Sequence, residues 1–211
     1  MMVSGDAKRA IKEALSFQRR TVEPIAEAGL LGCVLIQLSP RFKNDETSLS
    51  TLEAVIDALS TKRHRHAVEF RHGSWFAGGE IDRPARILLR SRGVANVLID
   101  GPGFPIVREE TSDHSYIRVH GRNADIWIRR KEDDYRIDRY DYLYGEDQLA
   151  AWVPRIREAK AETVFVYFNN HARAKAVRNA FQMMDLLGIK HREKSVRIQD
   201  QFTLGSFRHE M

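Results

Sequence analysis

Hydrophobic positions follow two alternating rhythms along the chain. Over 6–23, Ile11, Ala14, Leu15 and Val22 recur at helical spacing, and Pro24 marks the end of that helix. A turn with Gly29 leads into LLGCVLIQLSP, a near-continuous apolar run of strand length. Leu49, Leu52, Val55, Ile56 and Leu59 stripe a helix over 46–60. AVEFR reads as a strand, IDRPARILLRSRG as a helix stopped by Gly93, and VANVLID and YIRVHG as two further strands. GEDQLAAWVPRIREAK is helical, with Pro154 kinking it or limiting its start. TVFVYFN is a strand, and the stretch from His171 closes a last helix at Gly188. Strands thus centre near Leu35, Val68, Val97, Val119 and Val166, mostly separated by helices. This alternation predicts an α/β domain with a parallel sheet and helices packed outside it. Two connections depart from the pattern: the Gly- and Pro-rich GPGFPIVREETSDHS, and a charged, tyrosine-bearing loop over 121–145. No repeat, low-complexity tract or linker divides the 211 residues, so one domain over 1–211 is expected.

The strands carry polar residues where a buried sheet has no use for them. Alternate side chains of a strand face opposite sides. Val68 and Phe70 therefore oppose Ala67, Glu69 and Arg71; Ile117 and Val119 oppose Tyr116, Arg118 and His120. Val164, Val166 and Phe168 oppose Phe165, Tyr167 and Asn169; Val34 and Ile36 oppose Cys33, Leu35 and Gln37. One face of each strand suits covering helices. The other turns polar toward the C-terminal end, where parallel α/β proteins gather their ligand sites. Gln37, Glu69, Arg71, His72, Asp100, Arg118, His120, Arg122, Asn169 and Asn170 are thereby expected at one rim. Glu69 and His120 are the acid/base candidates, since a carboxylate beside an imidazole can move a proton near neutral pH. Arg71, Arg118 and Arg122 offer forked donors for phosphate or carboxylate; Tyr167, Asn169 and Asn170 would orient it. The competing reading is a buried Glu69–arginine ion pair that fills the interior without any substrate. Asp100 reads equally as a turn or cap residue, and His72 as an ordinary loop histidine.

Composition narrows the classes. The chain is 43% hydrophobic and 30% charged, with a net charge of +5, which suits a soluble protein with an anionic partner. Cys33 is the single cysteine, so neither an internal disulfide nor a Cys-rich metal site can form. The charged N-terminus is no secretory signal, and no apolar run approaches the about 18 residues of a membrane span. A cytoplasmic protein is expected. HExxH, GxGxxG, GxSxG and phosphate-loop motifs are absent. His64 and His66 are at i,i+2, an unconvincing zinc spacing, and no metal or cofactor is expected, although Glu69, Asp100 and His120 offer ligand types. KRHRH resembles a nucleic-acid patch but stands at a helix C-terminus, where cations suit the dipole. The tyrosines of RYDYLYGED either stack a sugar or base or pack the loop down.

AVEFRHGSW, YIRVHGRN, RYDYLYGEDQLAAW and VYFNNHARAKAVRNA, in this order and after LGCVLIQLSPRF, resemble the YecE-like family, domain of unknown function 72. The resemblance covers most of the chain from Leu31 to Leu187. It implies a TIM-barrel type fold with the motif residues at the open C-terminal face, and it adds Trp75 to the shared site of Glu69, Arg71, His72, Arg118, His120, Arg122, Asn169 and Asn170. Family members begin with further strands before LGCVLIQ, so about five of the eight βα units of such a barrel are expected here, a C-terminal portion. Open sheet edges then call for pairing, covering or a homo-oligomer. Ala172 and Ala174 depart from a bulkier residue and a glycine. Three functions follow as expectations: a hydrolase- or lyase-type enzyme for a small anionic or sugar-phosphate-like substrate, a nucleic-acid-binding or processing protein, and a non-catalytic remnant.

Overall fold

The computed structural model describes residues 2–3, 7–59, 61–105, 107, 109–125 and 140–191. The expected helix end at Ser60, the middle of the charged loop and the basic tail beyond His191 lie outside them. In chain order the elements are β1 (Met2–Val3), α1 (Ala7–Phe17), α2 (Glu23–Glu27), β2 (Val34–Leu38), α3 (Glu46–Ala58), β3 (His66–Glu69), β4 (Phe76–Ala77), β5 (Glu80–Ile81), α4 (Arg83–Ser91), β6 (Ala95–Asp100), β7 (His114–Val119), α5 (Glu146–Ala150), α6 (Val153–Arg157), β8 (Thr163–Phe168) and α7 (Lys175–Leu187).

The helical rhythm continues past Pro24, where it was expected to stop. A wide turn over Gln18–Val22, closed by the Glu23 amide on the Gln18 carbonyl, joins α1 to α2. It resets the ladder so that Pro24 falls in the first turn of α2, where its missing N–H costs nothing. Pro154 does the same further on, dividing the expected helix into α5 and α6. The carboxylate of Asp45 caps α3 by accepting from the Ser48 amide at 2.8 Å. Two elements were not foreseen. The β4–β5 hairpin turns on Gly78 and Gly79, whose φ values of 60° and 83° suit the tight two-residue turn. The short β1 pairs with the end of β2, Met2 opposite Gln37.

The main sheet runs β1-β2-β3-β6-β7-β8, every neighbouring pair parallel. This is the expected five-strand array with β1 added at its edge. The outer face of β2 and β3 packs Ile36, Leu38, Val68 and Phe70 against α1, α3 and α4, with Ala14, Leu52, Ile56 and Leu89 in the contact. The outer face of β7 and β8 packs Ile117, Val119, Val164 and Val166 against Leu149, Trp152 and Met183 of the later helices. Each large aliphatic side chain so buried contributes about 1.5–3 kcal/mol.

The inner face forms its own cluster, in which Ala67, Ala95, Val97, Ile99 and Tyr116 meet Cys33, Leu35 and Phe165. Residues from β2 and β8 share this cluster although three strands of the ordered sheet lie between them, so the sheet is strongly curled. Gly32 marks a close approach: a Cβ there would stand 3.1 Å from the Phe165 ring. Among the described residues β8 pairs on one side only and no ladder joins it to β1 or β2, so the array is an incomplete barrel with outer helices. No helix among them is long and apolar enough to cross a membrane.

Candidate functional site

Parallel register brings the strand ends level. Gln37 stands opposite Glu69 across β2 and β3, and Arg118 opposite Tyr167 across β7 and β8. Between these pairs lies β6, whose inward residues are the apolar Val97 and Ile99. With nothing polar in the way, the long Arg118 side chain crosses β6. Its Nη1 donates to Gln37 Oε1 at 3.0 Å and to Glu69 Oε2 in a very short contact. Arg71 Nε lies 3.6 Å and His120 Nε2 3.9 Å from the other Glu69 oxygen, Oε1. Glu69 is fully buried, and the Arg118 and Arg71 side chains are only 11% and 16% exposed.

His120 follows β7 directly, and its amide donates to the Asp100 carbonyl at 2.8 Å, so the sheet pairing holds it in place. The Asn169 amide nitrogen is 3.3 Å from His120 Nδ1. With Nδ1 accepting there, the ring proton is on Nε2, the nitrogen facing Glu69. Phe104 stacks against the imidazole at 6.5 Å and Tyr140 flanks it at 6.4 Å. Burial, then the charges of Arg118 and Arg71, push the imidazole pKa down to about 3, against a smaller opposing pull from Asp100. His120 is therefore neutral at neutral pH. Two guanidiniums, one carboxylate and a neutral imidazole leave this enclosed cluster with one net positive charge. Arg71 makes no hydrogen bond with any described residue, and its Nε is buried.

A second polar knot lies beside the first. Asp100, at the end of β6, receives Arg122 Nε at 2.8 Å and Nη2 at 2.6 Å, Tyr144 Oη at 3.0 Å and Trp152 Nε1 at 2.7 Å. Burial alone would raise the Asp100 pKa, but the Arg122, Trp152 and Tyr144 hydrogen bonds hold it below the usual carboxylate range. The turn-or-cap reading of Asp100 is thus replaced by a buried hub. Arg122, expected to hold an anion, has its fork filled by Asp100 and is 40% exposed. Asn170 also turns inward. Fully buried, it donates to the Tyr142 carbonyl and to Asn179 Oδ1, both at 2.8 Å, and Asn179 in turn ties both backbone groups of Tyr144.

Two expected site residues, Trp75 and His72, take other partners in the structure. Trp75 is fully buried in the outer core, stacked on Phe42, with its indole N–H on the Phe42 carbonyl at 2.7 Å. A one-turn helix over Gly73–Trp75 swings it to the helix-covered side of the sheet. His72 caps that turn, its Nδ1 accepting from the Ser74 amide at 3.1 Å. Tyr167 remains on the inner face, 42% exposed and stacked on Tyr116 at 4.9 Å. The structure therefore brings together Gln37, Glu69, Arg71, Arg118, His120 and Asn169, keeps Tyr167 beside them, and diverts His72, Trp75, Arg122 and Asn170 to other partners. Tyr116, Phe104 and Asn179 were missed. Two of them left a readable mark: Tyr116 shares the strand face of Arg118 and His120, and Asn179 is a polar residue on the buried side of the last helix.

Among the described residues no group of three or more His, Cys, Asp or Glu is placed to hold a metal. A cleft of about 1080 Å³ opens at the opposite end of the strands, where Lys62, Arg63, Arg65, Arg90 and Arg92 line it. It contains none of the residues above, and its size says less about chemistry than the buried charge at the rim.

A family model described as "Protein of unknown function DUF72" matches residues 3–201. A DUF72 family protein of Thermotoga maritima has the same fold with a TM-score of 0.73 and 27% identity, over 89% of this chain and 72% of its own. One of Enterococcus faecalis gives a TM-score of 0.76 and 23% identity, over 86% and 67%. No curated protein matches.

Proposed function

Given that the chain belongs to the DUF72 family, we propose that it is an enzyme of hydrolase or lyase type that takes a small anionic substrate at the C-terminal rim of its sheet. The supporting observation is the enclosed net positive charge that Arg71 and Arg118 make against Glu69, their one carboxylate partner among the described residues. Charge withdrawn from water costs several kcal/mol unless it is matched. A bound carboxylate or phosphate supplies the match, and Arg71 is the guanidinium with donors to give.

The roles follow. Gln37 and Glu69 hold Arg118 in place; Arg71 binds the anion; Asn169 orients His120. An anion on Arg71 offsets part of the positive field that depresses the imidazole, so substrate binding itself moves His120 toward the range where it can exchange a proton. Glu69 is its counter-charge on the far side. The test is a screen of phosphorylated, carboxylated and glycosidic compounds for turnover, repeated with Arg71→Met and His120→Gln. Turnover of a substrate that survives both substitutions undiminished rejects this assignment.

The cleft at the opposite pole supports a second reading, a nucleic-acid-binding surface. It is the weaker one, because Arg63, Arg90 and Arg92 are already paired with Glu23, Glu109 and Asp57. Binding to DNA or RNA that falls steeply with added salt would favour it; no binding at low salt removes it.

A further inference from the structure

The polar atoms around Glu69 carry more information than their charge. Glu69 Oε2 is taken by Arg118, whereas Glu69 Oε1 and Arg71 Nε are buried without a hydrogen bond to any described residue. They are 3.6 Å apart, beyond the range in which they satisfy each other. His120 Nε2 faces the same Oε1 from 3.9 Å. An atom about 2.8 Å from both Oε1 and Nε would complete the set once the Arg71 side chain, which reaches the surface, shifts to admit it.

The chemistry of that atom is constrained. A carboxylate oxygen only accepts and a guanidinium N–H only donates. The seated atom must therefore donate to Glu69 and accept from Arg71 at once. A carboxylate or phosphate oxygen accepts from Arg71 but is repelled by Glu69. An ammonium group donates to Glu69 but is repelled by Arg71. A hydroxyl oxygen does both. Resting on the anion-binding reading above, we infer that Glu69 Oε1, Arg71 Nε and His120 Nε2 form a hydroxyl subsite, and that the substrate carries a hydroxyl group next to its anionic group. The adjacency follows from Arg71 itself. Nε and the terminal nitrogens belong to one planar fork, so ligand oxygens held on the two positions are neighbours. Hydroxy acids and polyol phosphates share this arrangement.

The test uses two matched pairs of probes with the full chain, measured by calorimetry or ligand-observed NMR: lactate against propionate, and glycerol 1-phosphate against propyl phosphate. A hydrogen bond to a charged group is worth on the order of tenfold or more in affinity. The hydroxylated member of at least one pair should bind about tenfold tighter, and Glu69→Gln should shrink that advantage severalfold. An advantage in the first pair only identifies a hydroxy acid, and in the second only a polyol phosphate. Equal affinities within both pairs overturn the hydroxyl subsite and leave the anion reading standing. Failure of all four probes to bind overturns both. Because the wild-type comparison decides the matter, a Glu69→Gln chain that does not fold leaves the test intact.

Discussion

Asp100→Asn is the most informative single perturbation of the rim. The carboxylate is buried and accepts four hydrogen bonds, two from Arg122 and one each from Tyr144 and Trp152. An asparagine keeps the shape but turns one oxygen into a donor, which then faces Arg122 or Trp152 N–H. At least one bond is lost outright and the charge assistance of the others goes with it. Losing one partner of a fully buried pair costs about 3–5 kcal/mol. Arg122 is 40% exposed and can turn to water, so the lower part of that range applies, about 3 kcal/mol. In a domain of this size that is a fall in Tm of roughly 6–12 °C. Calorimetry at pH 7 with urea unfolding in parallel measures it. The pH dependence gives an independent check. The folded pKa of Asp100 is depressed, so its contribution is complete above the unfolded value of about 3.9 and is lost as pH falls through the folded value. The gap between wild type and variant should close below about pH 4. A loss under about 1 kcal/mol, or a gap that persists in acid, would refute the hub.

Arg71→Met removes the unmatched cation, so it should leave stability unchanged or raise it by about 1 kcal/mol while abolishing binding of anionic probes; a marked loss of stability in urea unfolding would count against the net-charge argument. His120→Gln should flatten the stability profile between about pH 3 and 6.5: the folded imidazole refuses a proton that the unfolded chain accepts there, so wild-type stability rises with pH across that window. Ala174 holds φ 58° at the start of α7, a left-handed conformation that costs a side-chain-bearing residue about 1–2 kcal/mol; Ala174→Gly should gain about 0.5–1 kcal/mol after glycine's greater freedom when unfolded is deducted, read as a higher denaturation midpoint. Trp75→Phe should cost about 1–3 kcal/mol through the lost hydrogen bond to Phe42 and the space left behind, with ligand binding unaltered; weakened binding at unchanged folding would return Trp75 to the site.

The period of two along each strand was enough to gather Gln37, Glu69, Arg118 and Tyr167 on one face, because parallel neighbours in register preserve it from strand to strand. Beyond the strand ends that rule expires. His72 and Trp75 follow Glu69 closely, yet a single helical turn sends the indole into the opposite core. Arg122 and Asn170 look like site residues by position, and what claims them is distant in sequence: Asp100 lies 22 residues from Arg122, and Tyr142 lies 28 residues from Asn170. No local pattern encodes such partnerships. The β4–β5 hairpin was legible in its Gly-Gly pair and went unread, whereas the two-residue β1 has too little pattern to detect.

Gly32 against Phe165 has one further implication. A ladder of backbone bonds would clamp β2 and β8 at a spacing of about 4.8 Å. Here the two are separated by the bulk of a ring resting on bare backbone. The width of the rim is then governed by how tightly the ribbon coils, and the coil by a spacer that carries none of the rim's charges. Trimming that spacer should draw the two edges together and giving Gly32 a methyl group should push them apart, so the coil can be reset without touching Glu69, Arg71 or Arg118.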